Sequence, residues 1–310
     1  AIASFGSFPK IIDTSDINSS MAISIRAGFG NKIIGNAEYT YVGFSNSLSD
    51  TATLQSFDME SGIGTVFSEN ALAGVTFIDV TSVFALNGID TNVFGNAADN
   101  KMLTSEGSHL FLGREGMDSL LIEFEDMGLA LDDFDIARQQ DGVVTIVSGA
   151  SDVNYDATTT SVERFHFIDE AGDTVQSVAF DIDGAAGQTY RLYQAAFDRT
   201  PDEGGFTYWL NTFDAGQVSL SDMAGFFIDS QEFQDRYGTP GSVNTADFIT
   251  LLYNNVLDRA PDSDGFAFWL EQAALGASRE DILVSFSEST ENQANVFDDI
   301  ADGIWYGMMG

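Results

Sequence analysis

Asp118 and Asn100 hold the same place, eighteen residues apart, in a run of three nine-residue windows that align without gaps. The windows are Gly95–Leu103, Thr104–Leu112 and Gly113–Leu121. Their fourth residues are Ala98, Gly107 and Gly116, and their sixth are Asn100, His109 and Asp118. Each closes on an apolar pair: Met102-Leu103, Phe111-Leu112, Leu120-Leu121. Side-chain oxygens at a fixed place beside turn-forming small residues suit a hard cation. Calcium collects about six to eight oxygens from carboxylates, amides and carbonyls. Asn100 and Asp118 are therefore candidate metal ligands, Asp118 being the one full carboxylate.

A second set of acids lies at two matching corners, Asp198 with Asp202, and Asp258 with Asp262 and Asp264. Two readings stand. In one, each corner holds calcium. Asp262-x-Asp264-Gly265 is followed by Glu271 where an EF-hand places its last ligand, but the first corner has Gly204 and Asn211 there. In the other, the charges hold a bend. Arg199 and Arg259 pair with a carboxylate, Pro201 and Pro261 enter the first turn of a helix, and Thr200 with Glu203 forms a capping box. Asp202 and Asp262 then meet the positive end of the helix dipole. Trp209 and Trp269 are candidate glycan contacts if they are exposed.

The elements that must position these residues follow from periodicity. The nine-residue windows suit a parallel β-roll, each window a turn plus a short strand. Gly113, Gly116, Asp118 and Leu120 resemble the repeats-in-toxin pattern in degenerate form, which implies calcium shared between the turns of neighbouring coils. Strands are expected at Ala22–Arg26, Glu38–Phe44, Gly64–Phe67, Val75–Val80, Val143–Val147, Val162–Ile168 and Val175–Ile182. Between them Glu123, Glu125, Asp126, Asp132, Asp133 and Asp135 either form a solvated face or feed calcium at the end of the roll. From about Gly184 the apolar spacing turns helical, as in Tyr190, Tyr193, Phe197 and in Phe248, Leu251, Leu252, Val256. Ser219 with Asp222, and Ser278 with Asp281, signal helix starts. Asp181 and Asp183 are either turn ligands or caps of the helix that follows.

The helical part is duplicated. YQAAFDRTPDEGGFTYWL at 193–210 aligns with YNNVLDRAPDSDGFAFWL at 253–270, an offset of 60, and the pairing carried on downstream sets Gly225-Phe226 against Ser285-Phe286. These residues, with the closing FSESTENQANV at 286–296, resemble the bacterial helical domain of unknown function 4214. That resemblance implies a place behind worn calcium-roll segments in proteins exported by type I secretion or carried on cell surfaces. The expected architecture is α+β and multidomain: a β-rich, charge-poor domain at 1–94, a degenerate β-roll with strands at 95–183, and an all-α domain of two related helical units at 184–310.

Composition narrows the function. With 48 Asp plus Glu against 12 Lys plus Arg, the 310-residue chain carries a net charge of −36. Such a field repels nucleic acid and anionic membranes and demands counter-cations. The charge is unevenly spread, and residues 1–94 are poor in it while rich in Phe, Gly and Ser. That segment either packs against other copies of itself or buries its own rings. There is no cysteine, hence no disulfide and no thiolate site. No run approaches the roughly 18 apolar residues of a membrane span. The N-terminal twenty residues lack the basic and apolar regions of a Sec signal, and Ala1 follows either a removed Met or a removed leader. His109 and His166 are the two histidines, and neither a nucleophile elbow nor a phosphate loop occurs. The expectation is a secreted, calcium-dependent structural protein, not an enzyme, that assembles with itself into a surface layer, filament or sheath. A calcium-dependent adhesin or glycan-binding module is the alternative, with cell-surface polysaccharide as partner, and a secreted hydrolase stands third.

Overall fold

Alternate residues of each window strand enter one core. Met102, Phe111 and Leu120, the first members of the three apolar pairs, are buried, while Leu103, Leu112 and Leu121 are half-exposed. This alternation defines the roll in the computed structural model, which describes the backbone of short strands before residue 90. From 90 to 307 it describes the chain apart from residues 105, 125–127, 140, 150–152, 170–171 and 240. The expected strand residues 22, 38–42 and 79–80, with Glu125 and Asp126, lie outside the described residues. The chain divides into two compact units, residues 1–178 and 179–310.

The first unit is β. Its strands are β1 (Ile23–Arg26), β2 (Gly43–Phe44), β3 (Thr51–Asp58), β4 (Ile63–Ser68), β5 (Val75–Ile78), β6 (Ser82–Phe84), β7 (Thr91–Phe94) and β8 (Lys101–Thr104). They continue with β9 (Gly107–Leu112), β10 (Ser119–Glu123), β11 (Phe134–Arg138), β12 (Val144–Ser148), β13 (Tyr155–Thr160), β14 (Arg164–Ile168) and β15 (Thr174–Ala179). One sheet runs β1-β3-β4-β6-β8-β10-β14-β15 and the other β11-β12-β13-β9-β7-β5-β2. Both sheets continue across residue 94.

The windows do not stack on one another directly. β8 pairs in parallel with β10 (Lys101 opposite Ser119), and β7 with β9 (Thr91 opposite His109). The repeat along each ladder is eighteen residues, two windows, and successive windows alternate between the sheets. The next coil comes late, because the antiparallel hairpin β11–β12 is inserted after β10. The roll then resumes with β13 against β9 and β14 against β10, both parallel.

Among the described residues the second unit holds eight helices: α1 (Ala185–Phe197), α2 (Glu203–Asp214), α3 (Leu220–Ile228), α4 (Gln231–Tyr237), α5 (Thr245–Val256), α6 (Ser263–Ala274), α7 (Arg279–Ser287) and α8 (Thr290–Ile300). A last strand, β16, spans Ile304–Gly307. The N-caps expose the duplication: Asp202 and Asp262 are 60 residues apart, but Ser219 and Ser278, like Ser230 and Ser289, are 59 apart. The link after α6 is one residue shorter than that after α2. The single offset of 60 therefore slips by one beyond the second helix of each copy. Phe227, not Phe226, matches Phe286, and both are buried in one core with Phe248, Leu252 and Ile282. The caps Ser219 and Ser278 take the backbone N–H of Asp222 and Asp281, as their sequence signals require. Among the described residues, no helix is long and apolar enough to cross a membrane.

Candidate metal centre

Asn100, Asp118 and Glu163 each stand one residue before a strand of the same sheet, and the register of β8, β10 and β14 stacks them in one column. Backbone donors tie the column together. Asn100 N–H donates to Asp118 Oδ1 at 2.6 Å, and Asp118 N–H donates to Glu163 Oε2 at 2.8 Å. Beside them Met117 N–H donates to Asp99 Oδ1 at 2.8 Å. The Asp118 carbonyl accepts from the N–H groups of Glu163 and Arg164 at 3.1 and 3.0 Å.

Asp118 is 0% exposed, and its second oxygen, Oδ2, is buried with no hydrogen-bond donor. Burial pushes its carboxyl up to about 7. The Asn100 N–H works in the opposite sense, while the neighbouring Glu163 and Asp99 add to the rise. Glu163 is raised as well, chiefly by burial. The surroundings of Oδ2 are oxygen. A Cβ built on Gly113 would lie 1.9 Å from the Ser161 carbonyl oxygen and 2.0 Å from Asp118 Oδ2. One built on Gly95 would lie 1.9 Å from Asn100 Oδ1 and 2.6 Å from the Gly113 carbonyl oxygen. Only glycine leaves room for these oxygens to approach. Two acceptors crowding one point without a donor call for a proton or a cation.

A second stacked column shows the contrast. Register places Asp90, Ser108 and Asp156 in line on the other sheet. There Ser108 serves both acids: its N–H donates to Asp90 Oδ1 at 3.0 Å and its hydroxyl to Asp156 Oδ1 at 2.5 Å. A serine in the middle satisfies that column, whereas a buried carboxylate in the middle leaves the Asp118 column one donor short.

The all-oxygen donor set fits calcium better than zinc. Asp118, Glu163 and the Ser161 carbonyl are the groups that would hold it. They bring two acidic side chains, and among the described residues no group of three or more His, Asp or Glu side chains gathers as a metal site. The rest of a coordination sphere would be carbonyls and water. Of the two residues expected from sequence, Asp118 keeps a free oxygen. Asn100 spends its amide inside its own turn, accepting from Asn96 N–H at 3.0 Å and donating to Asn96 Oδ1 at 2.9 Å. Glu163 and Asp99 were not singled out by sequence reasoning. Glu163 stands 45 residues beyond Asp118, five window lengths on, but the inserted hairpin and its flanks carry no window pattern across that stretch, so the run of windows stops at Leu121.

The helical corners use their carboxylates differently. Asp202 Oδ1 accepts from Gly205 N–H and Asp262 Oδ1 from Gly265 N–H, both at 2.8 Å, so each caps a helix. The caps are these aspartates and not Thr200, and Pro201 and Pro261 precede them. Arg199 meets Asp202 at 3.4 Å and grips Glu232 through two bonds, 2.6 and 3.0 Å. Arg259 repeats this with Asp262 at 3.2 Å and Glu291 at 2.6 and 2.9 Å. The cap N–H groups first, and the arginines after them, hold Asp202 and Asp262 below the usual carboxylate range. Asp198 pairs with Arg236 at 2.5 Å, while Asp258 and Asp264 are exposed. This is the bend-holding arrangement, with arginine where the calcium reading needed a metal. Asp181 Oδ2 accepts from Ala186 N–H at 2.9 Å, the capping role.

Trp209 and Trp269 are half-buried against the helical core. Trp209 rests on Phe226 and Phe227, and Trp269 on Phe286. The rings beside them, Tyr208 and Phe268, are 51% and 49% exposed. His166 Nδ1 lies 2.9 Å from Ser177 Oγ, but that serine is buried and burial lowers the imidazole to about 4. His109 packs against Tyr155 inside the roll.

The fold and site thus define a parallel β-roll with an oxygen-lined turn column, and a separate duplicated helical unit whose corners are closed by arginine. Residues 188–232 and 224–296 match the family model DUF4214, a domain of unknown function. Comparison with curated proteins returns no match to the chain.

Proposed function

We propose that this chain is a calcium-dependent structural protein that acts outside the cell and assembles with itself into a layer, filament or sheath. The observation that carries the reading is the orphaned, fully buried Oδ2 of Asp118, set among oxygens and next to a second, half-buried acid, Glu163. A divalent cation answers all three features at once. The net charge of −36 makes the same demand at molecular scale, because copies of such a chain can touch only where cations screen them. Extracellular calcium sites bind at roughly 0.1–1 mM, the range such a setting supplies. Electron microscopy of the purified chain tests the reading. Ordered assemblies are expected in millimolar calcium and should disperse in chelator, while single monodisperse molecules in calcium would overturn it.

Glycan binding is the second reading, favoured by the exposure of Tyr208 and Phe268 on matching helices. These rings, rather than the half-buried tryptophans, would meet a sugar first. A glycan array run with a Tyr208→Ala, Phe268→Ala variant separates it from the structural reading.

A further inference from the structure

Among the described residues β11 pairs on one side only, with β12, and ends its sheet. The direction of its backbone groups follows from the hairpin. Gln139 N–H bonds the Val143 carbonyl at 2.7 Å, and Gly149 N–H bonds the Asp133 carbonyl at 2.6 Å. With the register Arg138 opposite Val144, the bonded positions are the odd residues, so Asp135 and Ala137 turn their N–H and C=O toward β12. Phe134, Ile136 and Arg138 turn theirs outward. The Phe134 N–H is taken by the Leu131 carbonyl. The Phe134 carbonyl and both backbone groups of Ile136 and Arg138 form the open edge.

Edges of this kind are usually blunted by shortness, by charged side chains (lysine above all), by proline, a bulge or a cover. β11 (FDIAR) has no proline or lysine, and its register against β12 is unbroken. It also carries one acid and one base, Asp135 and Arg138, and is neutral in a molecule of charge −36. It is therefore a stretch where a second copy can approach without repulsion along the strand itself. The strand is self-complementary about Ile136. In an antiparallel pair centred there, Ile136 exchanges both bonds with Ile136 of the second copy. Each Arg138 N–H meets the other copy's Phe134 carbonyl, and Asp135 lies opposite Ala137 instead of opposite itself. Half-buried Ile136 and the exposed Ala137 and Val147 give the joint apolar area on both faces. Asp132, Asp133 and Asp141 flank the strand at its two ends, so the joint needs cations at its margins.

We propose that β11 is the self-association edge of this protein, and that two copies join there into one continuous sheet across a two-fold axis. The proposal rests on the self-assembly reading above and gives it a surface. Two measurements on the full chain test it. In hydrogen exchange, the amides of Ile136 and Arg138 should exchange fast in the dispersed protein and become protected on assembly. Those of Asp135 and Ala137 should be protected in both states. In the second, Ile136→Pro removes an outward donor, a substitution that edge strands tolerate, and sedimentation should show the association midpoint raised by at least about tenfold. Assembly of the wild type with Ile136 and Arg138 still fast in exchange would overturn the edge but leave self-assembly standing. A wild-type chain that never associates in calcium overturns both. Exchange is read on the wild type, so a variant that fails to fold does not blunt the test.

Discussion

Asp118 is where the charge of the molecule becomes a folding problem. Its carboxyl titrates near 7 in the folded chain, against an ordinary value of 3.8. In chelator the folded state therefore holds the proton more tightly than the unfolded one between those values. Stability falls as pH rises through that window, and the cost, on the order of a few kcal/mol, is fully present above it. Thermal melts in chelator should show a lower transition near pH 7.5 than near pH 5, and Asp118→Asn should narrow the gap. Calcium should flatten the trend, because a metal takes the deprotonated carboxylate. A wild type that melts equally at both pH values would contradict this assignment. Gly113 makes a second prediction. Gly113→Ala drives a methyl into the Ser161 carbonyl and Asp118 Oδ2, and should cost about 1–3 kcal/mol or more of roll stability. Gly149→Ala meets its nearest atom, the Asp133 carbonyl oxygen, at 3.4 Å and should be close to neutral by the same melts.

At the scale of elements, two kinds of arginine pair hold the helices. Arg191 is buried, bonds Glu288 twice and reaches the Ile182 carbonyl at 2.7 Å. Arg191→Ala strands Glu288 and should cost the helical unit about 3–5 kcal/mol in urea unfolding. Arg199→Ala opens a clamp whose side chains are a third or more exposed, and should cost no more than about 1 kcal/mol. A similar loss for both would refute the distinction. Much of this was legible. The apolar windows, the serine caps and the duplicated corners carry their own periods, and the structure keeps them. What escaped was whatever depended on distance along the chain. The strand Tyr155–Thr160 went unmarked, because its buried Thr159 and Ala157 supply no apolar alternation to count. Glu163 was hidden behind an inserted hairpin. Glu232 and Glu291 were hidden by the one-residue slip between the helical copies, which a single offset cannot follow. Both readings of the corners were open in the sequence, since aspartate next to arginine and proline serves a bend and an ion equally well. Distances to Arg199 and Arg259 decided how those carboxylates are spent.

For the whole molecule the deciding quantity is the charge of −36 on a chain with 44% apolar residues. A core of that size favours compaction, and the acids oppose it unless cations intervene. The roll and the helical unit should differ in this respect. The corner acids Asp198, Asp202, Glu232, Asp262 and Glu291 are met by helix N–H groups or arginines and the other corner acids lie in solvent, whereas the roll keeps Asp118 buried beside the half-buried Glu163 with one carboxylate oxygen unserved. Chelation should therefore lower the melting point of the roll and spare the helices. Circular dichroism during a calcium titration of chelated protein, held just above the temperature at which the roll melts in chelator, measures this directly. The account predicts that β signal returns in one cooperative step near millimolar calcium while helical signal stays constant, and that Asp118→Asn shifts or abolishes the step. A chain whose β signal and melting temperature are the same in chelator and in calcium would contradict it.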